Sequence, residues 1–170
     1  LEVEFPFYSI GDKLGVVDTP LGKIGVNICA DNYHKGLHIG HTLARMGAQI
    51  ILSPASWTVD YSVTEEDEPY ADKWVKPLQV LASWHDIVVI STTSVGYIVG
   101  GPYEGKKKVG KSLAVGKEGI LMEGVFNEFA GELNIVEFEP PVRGIKGIQI
   151  GKALEDEGYQ FDNLPPGFAH

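Results

Sequence analysis

Among the side chains able to do covalent chemistry, the most tellingly placed is Cys29, the single cysteine among 170 residues. It ends an apolar run, Lys23-Ile24-Gly25-Val26-Asn27-Ile28, that reads as a buried strand, and it precedes a small residue and an acid, Ala30-Asp31. A thiol at the C-terminal end of a strand, just before a helical segment, stands where α/β folds place their ligands. The backbone N–H groups of Ala30 and Asp31 would lower its pKa or serve an oxyanion. A cysteine outside a disulfide is also among the most buried residue types, so the same position fits a small core hydrophobe.

Rival chemistries are thinner. His34, His38 and His41 fall at i, i+4 and i+7 on one helical face with Asp31 near, a spacing that would suit Zn²⁺. Arg45 shares that stripe, which disfavours a cation and favours an ordinary solvated face. His85-Asp86 would pair a base with its orienter, but adjacent residues at a strand entry more often mark a helix end. The acidic run Glu65-Glu66-Asp67-Glu68 reads as solvated. Gly100-Gly101 and Gly105 match neither a Walker pattern nor G-x-G-x-x-G. No cofactor and no metal site is expected.

Composition narrows the class. At 170 residues, with 44% hydrophobic content and a mean hydropathy of −0.02, the chain makes one globular domain. A domain of that size buries roughly 70% of its unfolded surface. The formal charge of −9 argues against nucleic-acid binding. Lys106-Lys107-Lys108, with Lys111, reads as a solvated loop. No apolar run approaches the roughly 20 residues of a membrane span. A lone cysteine points to a reducing, cytoplasmic setting.

The elements that would position Cys29 follow from periodicity. Leu14 to Thr19 reads as a strand, and Thr19-Pro20-Leu21-Gly22-Lys23 as the turn of a hairpin feeding Ile24 to Cys29. Lys35 to Gly47 has helical spacing, with Leu37, Ile39, Leu43, Ala44 and Gly36, Gly40, Gly47 on one side and His34, His38, His41, Arg45 opposite. Ala48 to Ser53 is a buried strand, Thr58 to Glu68 a loop, and Ala71 to Trp84 a helix broken or kinked at Pro77. Ile87 to Ile90 is a β-branched strand. This alternation is that of an α/β layer. Beyond it, Gly96 to Gly110 reads as a loop. Ser112 to Val115, Ile120 to Glu123 and Glu132 to Glu137 read as strands.

Gly22-Lys23-Ile24-Gly25-Val26-Asn27-Ile28-Cys29-Ala30-Asp31 resembles the nucleophile motif of the nitrilase superfamily, the carbon–nitrogen hydrolases. Glu4, Tyr8 and Gly11-Asp12 resemble the segment before that motif. Gly47 to Trp57 resembles the helix-end, strand and Pro-x-x-Trp step. Ser94-Val95-Gly96, Gly110-Lys111-Ser112 and Gly116 to Leu121 resemble the later glycine, strand-entry and turn. The resemblance runs from about Glu4 to Phe138. It implies a layered α/β fold, the nitrilase-like αββα four-layer sandwich. It also implies a Glu–Lys–Cys triad in which cysteine attacks an amide or nitrile carbon and forms a thioester. Carried over, Cys29 is the nucleophile, Ala30 supplies an oxyanion N–H, and Glu4 is the supporting glutamate, with Glu2 as fallback.

The resemblance places the general-base glutamate and the lysine upstream of Leu1, so this chain is expected to be the later part of the domain and inactive alone. The acid and proline that commonly follow the nucleophile are replaced by Asn32 to Leu37. Tyr33, His34 and Trp57 are the guesses for pocket lining. The expected function is hydrolysis of a small-molecule amide or nitrile by a homo-oligomer that binds neither nucleic acid nor membrane. The alternatives are a catalytically dead homologue or assembly subunit, and a Zn-binding domain through His34, His38 and His41. Residues 1–139 are assigned to the partial hydrolase domain and residues 140–170 to a C-terminal extension or arm.

Overall fold

A computed structural model describes residues 5–32, 37–142 and 157. Strands are numbered in chain order. The main sheet runs β1 (Val16–Thr19), β2 (Gly22–Val26), β3 (Ile50–Leu52), β5 (Val88–Ser91), β8 (Leu113–Gly116), β9 (Gly119–Glu123). A smaller sheet orders β4 (Val59–Asp60), β7 (Lys106–Val109) and β6 (Val95–Tyr97). β2, β3 and β5 are parallel, while β1, β8 and β9 are antiparallel to their neighbours. The β1–β2 turn is closed by Thr19 Oγ1 donating to the Gly22 carbonyl at 2.7 Å, with Gly22 at φ +114°.

Helices α1 (His38–Arg45) and α2 (Lys76–His85) cover one face of the main sheet. The register Gly25–Ile51–Val89–Val115 makes one row across four strands, and it is this row that meets the helices. Gly25 is needed there: a Cβ would come within 3.3 Å of Leu43. Leu43, Trp74, Leu78 and Leu81 complete the core, all fully buried. Each such side chain contributes on the order of 1.5–3 kcal/mol. The opposite face is partly open, with Val17, Val26 and Leu52 exposed.

The α1 glycine side packs as its spacing predicts. Gly40 lies against Leu81 of α2, and Gly47, at φ +103°, ends the helix with its N–H on Ala44. The break expected at Pro77 is a change of helix type: a π-helical turn, Ala71–Val75, passes into α2 with Pro77 in the first α turn. His85-Asp86 marks the helix end, with Asp86 left-handed at φ +51°. Among the described residues no helix is long and apolar enough to cross a membrane.

Four expectations need correction. Residues 96–110 are not a loop: β6 and β7 lie at its ends, and Lys107 is buried rather than solvated. Its ammonium is paired with Glu128 and sits 5.5 Å from the Tyr61 ring and 5.8 Å from that of Phe126. Residues 58–68 contain β4 and a 3-10 turn, Glu65–Asp67, capped by Thr64 and Asp67. Residues 132–137 form no strand, because no described segment pairs with them, and Leu133 and Ile135 stand exposed. His41 is not on a purely solvated stripe, since its Nδ1 lies 2.5 Å from His85 Nε2 and its ring stacks on Trp84.

Candidate functional site

The backbone delivers Cys29 to the C-terminal end of the parallel strands. The β2–β3 ladder continues one step beyond the strands, with the Asn27 N–H donating to Leu52 at 3.2 Å and the Cys29 N–H to Pro54 at 3.1 Å. The chain then tightens into a 3-10 helix, Cys29–Asn32. Asp31 stabilises that turn twice, accepting from the Ile28 N–H at 2.8 Å and donating its own N–H to the Ile28 carbonyl at 2.9 Å. Cys29 itself is left-handed, φ +46°. For a residue with a Cβ this conformation is costly and persists where its surroundings over-determine it.

Those surroundings are polar and buried. Asn27 Nδ2 donates to Asn32 Oδ1 at 2.7 Å, and Asn32 Nδ2 donates to Asn27 Oδ1 at 3.0 Å and to Ser53 Oγ at 2.7 Å. Ser91 Oγ donates to the Ser53 carbonyl at 2.7 Å. Strand ends β2, β3 and β5 are thus tied together directly beneath the cysteine. Sequence reading missed Asn27, Asn32 and Ser53 as positioning residues. The available signal was polar residues terminating apolar strands, since buried polar groups in native structures have partners.

Cys29 and Ala30 line a cleft of about 1210 Å³. Its walls come from the β3 exit (Pro54–Asp60), the entry to α2 (Tyr70, Lys73) and the β6–β7 hairpin (Tyr103, Lys106, Lys108). The Ala30 N–H lies in the first turn of the 3-10 helix, where no intrahelical acceptor exists for it. Trp57 lines the same cleft and is fixed edge-on against Trp74, with ring centres 5.3 Å apart. The Tyr70 hydroxyl donates to the Trp57 carbonyl at 3.2 Å, and burial pushes that phenol's pKa up.

The carboxylates among the described lining residues are Asp60 and Asp67. Lys106 bonds Asp60 at 2.7 Å and holds its pKa below the ordinary value. Asp67 is held low by the Thr64 N–H at 2.6 Å and its hydroxyl. Both stay ionised near neutrality and are engaged elsewhere. On the far side of β7, Glu128 bridges Lys107 and the Tyr97 hydroxyl, which pushes the Tyr97 pKa up to about 12.

Glu4, with Glu2, and the lining guesses Tyr33 and His34 lie outside the described residues. Among the described residues no three His, Cys, Asp or Glu side chains gather to hold a metal ion. His38 is exposed, and His41 turns to His85 instead.

The family model for carbon-nitrogen hydrolases matches residues 1–144. A curated relative, deaminated glutathione amidase from Yersinia enterocolitica, is 34% identical over 89 residues, covering 52% of this chain and 28% of that one. Among solved structures, a carbon-nitrogen hydrolase from Helicobacter pylori superposes with a TM-score of 0.62 at 22% identity, covering 74% of this chain and 44% of the other. Saccharomyces cerevisiae Nit3, a member of branch 10 of the nitrilase superfamily, gives 0.54 at 24% identity, covering 71% and 40%. The chain therefore spans less than half the length of these proteins, and its layered α+β architecture is part of the nitrilase fold.

Proposed function

The chain belongs to the carbon–nitrogen hydrolase family, and on that premise we propose that it carries the nucleophile of a hydrolase acting on a small-molecule amide or nitrile. The observation that carries this reading is Cys29 itself, held left-handed at the C-terminal end of β2 and lining the cleft. The named activity of the Yersinia relative favours an amide.

The chemistry runs in two steps. The Cys29 sulfur attacks the carbonyl carbon, the oxygen gathers charge opposite the Ala30 N–H, and the C–N bond breaks as the nitrogen takes a proton and leaves as an amine or ammonia. Water then attacks the thioester, releasing a carboxylic acid and restoring the thiol. Both steps need a general base, typically worth 10²–10⁴ in rate. Asp60 and Asp67 are engaged with Lys106 and Thr64; the family resemblance makes Glu4 the candidate for the supporting carboxylate.

Mass spectrometry with hydroxylamine trapping tests this. The expected result is a hydroxylamine-labile acyl adduct on Cys29 of the full-length protein after incubation with a panel of small amides and nitriles, absent from Cys29→Ala. No adduct from any member would overturn the nucleophile reading. A second reading is a non-catalytic subunit of a homo-oligomer. The exposed Val17, Val26 and Leu52 on one sheet face support association with a second copy. Light scattering would then show assembly while trapping showed no acyl adduct.

A further inference from the structure

The described lining of the cleft carries three lysines, Lys73, Lys106 and Lys108, against two carboxylates, Asp60 and Asp67, in a protein of formal charge −9. Alternation along β7 places Lys106 and Lys108 on the cleft side and turns Lys107 away to Glu128. Lys73, from the π-helical turn before α2, enters the same cleft. Lys106 is neutralised by Asp60 at 2.7 Å. Among the described residues neither Lys73 nor Lys108 has a carboxylate within 4.0 Å. The remaining lining acid, Asp67, is turned to Thr64.

We infer that the cleft selects substrates bearing an anionic group, a carboxylate, which Lys73 and Lys108 receive while the reacting carbon lies at Cys29. The inference rests on the reading of Cys29 as nucleophile. A concave surface with an excess of one sign of charge concentrates ligands of the other, and among the described lining residues no arginine fork joins these lysines to favour a phosphate. Neutral amides of the same size are expected to be poorer ligands.

Two alkylating reagents of nearly equal shape test this without requiring turnover. Iodoacetate is anionic and iodoacetamide neutral; with either, the sulfur–carbon bond forms as iodide leaves. The ratio of their rates at Cys29 is expected to exceed that at glutathione in low salt. It should fall roughly three- to tenfold in Lys73→Gln/Lys108→Gln, and similarly in 1 M salt, where the Debye length is about 3 Å. Lys117→Gln changes net charge outside the cleft, at a residue paired with Asp86, and should leave the ratio unchanged.

Circular dichroism confirms that each variant is folded. Alkylation by both reagents at a ratio that the paired lysine substitutions do not move would overturn this inference alone. Failure of both reagents to modify Cys29 in the folded protein would overturn the nucleophile reading and this inference with it. Protection of Cys29 from iodoacetamide by succinamate, and not by propionamide, would support a carboxylate. Protection by inorganic phosphate in its place would overturn that choice of anion.

Discussion

The side-chain amides of Asn27 and Asn32 bond each other in both directions, at 2.7 Å and 3.0 Å, beneath the strained turn that carries Cys29. Both residues are buried, so truncating one leaves a polar partner in the interior without water. Asn32→Ala is expected to lower stability by about 2–4 kcal/mol, since it orphans groups on both Asn27 and Ser53. Urea denaturation measures that loss. Alkylation of Cys29 should slow in the same variant while it is still folded, because the turn loses its clamp. An unchanged denaturation midpoint would show that the pair does not hold the turn.

The left-handed backbone at Cys29 has its own signature, separable from the thiol. Cys29→Ala and Cys29→Gly both delete the sulfur, but only glycine is relaxed at φ +46°. Cys29→Gly is therefore expected to be the more stable of the two by about 1 kcal/mol, the reverse of the usual order. Thermal unfolding of the two variants side by side decides it; an alanine variant as stable as the glycine one would remove strain from the account of the site.

The strand into Cys29 was legible because its neighbours are apolar and its partner strands carry the same signal: Ile24, Ile50 and Val88 stand side by side in the register. β7 was not legible, because Lys106-Lys107-Lys108 has no local mark of a strand. What makes it one is non-local, namely Glu128 and the rings of Tyr61 and Phe126 around Lys107. Residues 132–137 failed the other way. Their alternation suits a strand, but no described segment pairs with them. The cysteine and its adjacent N–H were readable from order along the chain. The asparagine clamp, whose bond to Ser53 spans 21 positions, and the lysine-lined wall, drawn from separate elements, were not.

The contact between α1 and α2 predicts an unfavourable Gly40→Ala. In an exposed helix this change would stabilise by up to about 1 kcal/mol. Here the new Cβ would lie 2.5 Å and 3.0 Å from the two methyl carbons of Leu81, which is fully buried and has little room to move. The net effect is expected to be a loss of about 1–3 kcal/mol. The combination with Leu81→Ala should cost less than the sum of the two single changes, because the space opened at Leu81 receives the methyl. Strict additivity in urea unfolding would mean that the two positions do not meet.

The same helix pair should make stability depend on pH near neutrality. Burial first, and then the nearby His38, hold the His41 pKa below its ordinary 6.5. His41 faces Trp84 and His85 of α2 at close range, and a proton on both imidazoles would set like charges together across a 2.5 Å contact. The folded state thus binds fewer protons at this site than the unfolded chain, so stability rises with pH. His41's contribution is full above about pH 6.5 and is lost progressively as pH falls through 6.5 toward the lowered folded value. The carboxylates of Asp60, Asp67 and Glu128, also held low, add a separate loss only in the acid range below their ordinary values. Urea midpoints measured from pH 7.5 to 5 should decline in the native protein and flatten in His41→Gln, with His38→Gln intermediate because it removes only the second cause. A native profile flat across that range would show that the imidazole pair takes up its proton without penalty.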